Sequence, residues 1–117
     1  MLEQELTALT RRLTRGAVKL TIAIGDGQLG GSSLKLDGEP VGPIGDVVGV
    51  AIGTASKLDG SQLEVRTLVA DVNLQSNMTD VTYDFTGVEE RSETLEHRVL
   101  DDGNAVIYIV TFTFVKP

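Results

Sequence analysis

Cysteine and tryptophan are both missing from the 117 residues, and histidine occurs once. Without cysteine there is no disulfide frame, no thiolate metal site and no cysteine nucleophile. Aromatic side chains are few, two tyrosines and three phenylalanines, which leaves little with which to stack bases or sugars. Positive charge is also short: ten Lys and Arg against seventeen Asp and Glu give a net charge of -7. A nucleic acid or an anionic membrane surface would want a basic stripe, so neither is expected as a partner. No apolar run reaches the length of a membrane span, and the opening residues are charged rather than forming a signal-type apolar core. The expected setting is cytoplasmic, and Asn77-Met78-Thr79 is then a chance match to a glycosylation sequon.

What the chain does have is 41% hydrophobic residues and thirteen glycines. That is enough for one domain over residues 1–117 with a single modest core, punctuated by many turns. Residues 2–15 predict an amphipathic helix. Leu2, Leu6, Leu9 and Leu13 recur at spacings of four, three and four, Glu3 and Glu5 open the segment, and Arg11, Arg12 and Arg15 close it before Gly16. Such a stripe can pack on a β body or join a self-association seam.

Residues 17–115 predict that body: an antiparallel β-sandwich or barrel of about seven strands. Val18, Leu20, Ile22 and Ile24 alternate with polar neighbours. A short strand through Leu34 and Leu36 runs to the turn at Asp37-Gly38. Val47, Val48, Val50 and Ile52 suggest a strand bent or bulged by Gly45, Gly49 and Gly53. From Gln62 to Leu74 the apolar phase changes, so a bulge near Thr67 to Val69 is expected. Val81, Tyr83 and Phe85 alternate inward.

The densest apolar run closes the chain. Asp102-Gly103 between two strand-like segments predicts a type I′ hairpin, with Val99 opposite Val106, His97 opposite Tyr108 and Leu95 opposite Val110. One face then carries Leu95, His97, Val99, Val106, Tyr108, Val110, Phe112 and Phe114. The other carries Leu100, Ala105, Ile107 and Ile109, too apolar for open water, so either the helix or a second subunit should cover it.

Chemistry is harder to find. Gly25-Asp26-Gly27-Gln28-Leu29-Gly30 spells G-x-G-x-x-G after a strand, but no helix fits before the next turn and Asp26 would repel a phosphate. The acidic turns do not match an EF-hand spacing, and Gly31-Ser32-Ser33-Leu34 is not a nucleophile elbow. No cofactor or metal is expected. His97 is the one acid–base candidate, and with Tyr108, Tyr83 and Phe85 it could line a small-molecule pocket; the plainer reading is a histidine satisfied at a core edge. Two functions follow: a non-catalytic, self-associating β module with a structural or binding role, and a small ligand-binding protein or enzyme around His97 and Tyr108.

Overall fold

The computed structural model describes residues 2–116, and among them it has nine strands. These are β1 (Leu2–Arg12), β2 (Ala17–Ile24), β3 (Leu29–Leu36), β4 (Glu39–Pro40), β5 (Val50–Thr54), β6 (Gln62–Ala70), β7 (Met78–Phe85), β8 (Ser92–Arg98) and β9 (Ala105–Val115). They form two sheets, one in the order β1-β9-β6-β3-β4 and the other β5-β2-β7-β8. The fold is mainly β and sandwich-like, and the sheets do not close into a barrel.

The core lies between the sheets and follows strand alternation. From β9 it takes Val106, Tyr108, Val110, Phe112 and Phe114, and from β6 Leu63, Val65 and Val69. The other sheet contributes Val18, Leu20, Val81, Tyr83 and Phe85. Phe112 is the hinge of this packing, edge-on to Phe85 at 4.9 Å and to Tyr83 at 5.5 Å between ring centroids. Each such pair is worth about 1 kcal/mol beyond the area it buries.

The expected helix over 2–15 is absent; its residues form β1, parallel to β9 along the whole strand from Leu2 beside Ala105 to Arg12 beside Val115. A lone helix of this length is marginal in water, so local propensity is weak against tertiary pairing. Without β1, the long apolar strand β9 would present a bare edge of unpaired N–H and C=O groups. The leucine stripe splits accordingly: Leu2 and Leu6 face outward, while Leu9 and Leu13 pack at the core.

The expected β8–β9 hairpin is also corrected. β8 pairs with β7, placing His97 beside Thr79, and β9 lies in the opposite sheet between β1 and β6. A type I′ turn needs positive φ at both central residues. Gly103 has φ 81°, but Asp102 is not in that region. The Asn104 amide donates to the Asp101 carbonyl at 3.2 Å, closing a turn that carries the chain from one sheet to the other. By contrast Asp37 (φ 48°) and Gly38 (φ 86°) do meet the type I′ requirement, and β3 and β4 do pair across them. The inward parity of the terminal segments stands, although their partners differ.

The bulge expected in 67–69 is not there either. β6 keeps unbroken register with both β3 and β9, so Thr67 points inward and Leu68 outward. Buried Thr67 is tolerated because its hydroxyl bonds the Ser32 hydroxyl at 2.7 Å. The irregularity sits instead in β2, where the pairing with β5 shifts between Val18 and Lys19. Along one side of the sandwich, the segment Gly45–Val47 stitches the sheets together: Gly45 exchanges two backbone bonds with Ser32, and Val47 accepts from the Ile22 amide.

Candidate functional site

The opposite side of the sandwich is closed by side chains rather than backbone. β1 and β8 are edge strands of different sheets, and both aim charged residues inward. Glu3, Glu5 and Arg11 alternate with outward residues on β1; Glu93, Leu95 and His97 do so on β8. The two sets are matched in reverse order. His97 Nε2 lies 2.9 Å from Glu3 and its Nδ1 lies 2.8 Å from Glu5, while Arg11 donates to Glu93 at 2.7 Å and approaches Glu90 at 3.5 Å. Below them, Leu13 bridges to Val88.

Electrostatics follow from this geometry. Burial pulls the His97 imidazolium pKa down, but hydrogen bonds to Glu3 and Glu5 and their negative charge outweigh it, so the net shift is upward from 6.5. Glu3 accepts from His97, from the Leu100 amide and from the Asn104 side chain, and these bonds hold its pKa at about 2. The Arg11 guanidinium is buried, 5.6 Å from the Phe112 ring centroid, which adds a cation–π contact.

Of the four residues expected to line a pocket, Tyr83, Phe85 and Tyr108 are buried in the core, and only His97 stands at the rim. Thr79 links two of them: its hydroxyl donates to the His97 carbonyl and meets the Tyr108 hydroxyl at 2.6 Å. Burial raises the Tyr108 phenol to about 12. Neither of two openings on the described surface is lined by any of the four. One opening of about 220 Å³ lies between β2, β3 and the Gly45–Val47 crossing; another of about 360 Å³ lies on the outer face of the five-stranded sheet among Gly31, Ile44, Leu68 and Ile107.

The G-x-G-x-x-G string forms the crossing from β2 to β3, with no helix after it. Its glycines have steric reasons. Gly27 has φ 69°, and a Cβ at Gly30 would strike the Leu68 carbonyl of the neighbouring strand. Within the string sits a residue that sequence reasoning missed. Gln28 is buried; its amide nitrogen donates to Asp71 (2.8 Å), to the Met78 carbonyl (3.1 Å) and to the Ser76 carbonyl (3.3 Å). Its oxygen accepts from the Val72 and Asn73 amides at 2.7 and 2.9 Å. One side chain thus ties down the whole connection between β6 and β7. No spacing in the sequence marks it. The rim clasp had a signal, the period-two charges Glu3, Glu5 and Arg11, legible only if the segment is read as a strand.

These features define an all-β sandwich whose inward-facing charged side chains on β1 and β8 are gathered into a clasp at one rim. No protein-family model, curated protein or solved structure matches the chain. No helix among the described residues is long and apolar enough to cross a membrane.

Proposed function

We propose that this chain is a non-catalytic β module that assembles with itself through the outer face of the five-stranded sheet and serves a structural or binding role in a cytoplasmic setting. The observation that carries this reading is the composition of that face. Register sets Leu6 beside Ile109 and Ile107 beside Leu68, and Leu2, Ala105, Ala70 and Leu29 continue the band. Leu2, Leu6, Leu29 and Leu68 are each about half exposed or more. A contiguous apolar patch spanning four strands is what a protein interface, and seldom a bare monomer surface, presents.

Charge favours the same face. The chain is strongly acidic, yet the outward residues of β1, β3, β6 and β9 include one carboxylate, Glu64, already bonded to Arg66 at 2.8 Å. The outer face of the other sheet displays Asp80, Asp84 and Glu96. Two copies can therefore meet on the first face with little opposed negative charge, and depletion of charge is characteristic of interface cores. The ligand-binding alternative has no comparable support, because Tyr83, Phe85 and Tyr108 are committed to packing.

Light scattering at tens of micromolar tests the proposal, since a standard interface of about 800 Å² per partner holds together at that concentration. A dimer or larger species is expected, made smaller by Leu68→Glu with unchanged circular dichroism. A strictly monomeric wild-type protein sinks the idea.

A further inference from the structure

We propose that β1 also pairs edge to edge, antiparallel, with β1 of a second copy about a two-fold axis through Thr7. This rests on the self-association reading above and adds to it a contact that can fail separately. The reasoning begins with the four sheet edges. β4 has two residues and ends in Pro40, β5 has five with Gly53 among them, and β8 has seven. β1 has eleven, with no glycine, proline or lysine and with unbroken register to β9. Natural edge strands are normally kept from pairing by shortness, proline, lysine, bulges or inward charges. β1 has only the last of these, and its inward charges are already matched by His97 and Glu93. From Leu2 to Ala8 its outer row of backbone donors and acceptors remains a template; beyond that the Thr10 carbonyl accepts from Arg11 Nη1 and the Arg12 carbonyl from the Glu89 amide.

The sequence of β1 is complementary to itself when reversed. A two-fold axis at Thr7 pairs residues 3 to 11, leaving the Arg12 carbonyl to Glu89, and keeps both sandwiches on the same side of the joined sheet, because side chains directly opposite share a face. Glu3 then lies beside Arg11 of the second copy, so the acidic end of each strand meets the basic end of the other. On the outward face Leu6 meets Ala8 of the second copy, which carries the apolar band across the junction. A register shifted by one residue would set the two sandwiches on opposite sides of the sheet and break that band.

The test uses the full chain, whose lack of cysteine makes single-thiol variants clean. Thr7→Cys places two thiols face to face across the axis, within the Cα separation a disulfide tolerates. Under mild oxidation it should form a disulfide dimer roughly a hundredfold faster than Leu74→Cys, an exposed loop control, because paired thiols sit at an effective millimolar concentration. Adding Gln4→Arg with Thr10→Arg, which sets arginines opposite one another twice at exposed positions, should abolish that advantage. Cross-linking no faster than the control, or unaffected by the arginines, overturns the proposal. Leu68→Glu separates the two contacts. If the Thr7→Cys dimer survives it, the edge stands alone; if the dimer vanishes with it, β1 pairing falls while self-association through the face remains.

Discussion

His97 and Glu3 are separated by 94 positions in the chain and by 2.9 Å in space, and the second ring nitrogen of the same histidine faces Glu5. A neutral imidazole has one N–H and cannot donate to both carboxylates, whereas the imidazolium can. The histidine pKa is raised on folding, so its contribution is complete below about 6.5 and fades as pH rises through the higher folded value. The Glu3 pKa is depressed, so its contribution is complete above 4.5 and fades as pH falls towards about 2. The melting temperature should therefore peak between these limits, around pH 4.5 to 6.5. Thermal melts of His97→Gln should lose the alkaline fall of that profile; an unchanged profile would remove His97 from the clasp.

Arg11 and Glu93 make an asymmetric pair, with side chains 3% and 34% exposed. Replacing both Glu90 and Glu93 by Gln strands a buried guanidinium, for which a cost of about 3 kcal/mol is expected. Arg11→Met keeps the stem that packs near Phe112 and frees two carboxylates that can turn to water, so it should cost about 1 kcal/mol or less. Urea denaturation of the two variants checks the order. Equal losses, or the reverse ranking, would mean that the pair is solvated in solution.

The two tyrosines should respond in opposite ways to loss of their hydroxyls. Tyr83 Oη is buried without a hydrogen-bond partner, and burial pushes its phenol pKa up. Tyr108 Oη meets the Thr79 hydroxyl at 2.6 Å and donates to the Thr79 carbonyl at 3.2 Å. Tyr83→Phe should leave stability unchanged or raise it by up to about 1 kcal/mol, because it removes an unsatisfied polar group. Tyr108→Phe should lower it by about 1 kcal/mol by removing the bonds to the Thr79 hydroxyl and carbonyl, although the Thr79 hydroxyl keeps its bond to the His97 carbonyl. Calorimetry on the pair distinguishes a polar group held for packing from one held by its bonds.

The inward face of β9 was legible because five apolar residues at a spacing of two have one physical solution, a core-facing strand. The turn at Asp37-Gly38 was legible for a similar reason, since its two positive φ angles are what that dipeptide favours. β1 was not, because Glu, Gln, Leu, Ala and Arg suit a helix locally and only the distant strands β8 and β9 favour an extended chain. The expected pairing of His97 with Tyr108 misses for the same reason. That pairing needs a hairpin that does not form, and the partners of His97 lie in the segment whose local propensity is helical. Gln28 gave no signal, because its bonds run to backbone groups more than forty residues away.

The position of β9 in its sheet has a consequence for how the molecule comes to exist. β9 is the latest strand of the described chain, yet β1 is joined to β6 and the rest of its sheet only through it. During synthesis neither strand has its central neighbour until residues beyond Ala105 emerge, so the five-stranded sheet can mature only once nearly all of this sequence is available. The hairpins β3–β4 and β7–β8 are the only strand pairs adjacent in sequence, and the remaining pairings must close long loops. Such topologies fold in milliseconds to seconds rather than microseconds. Through that interval Val65, Val69 and their neighbours lack the strand that covers them, and transiently exposed apolar surface of this kind is what makes such folding aggregation-prone.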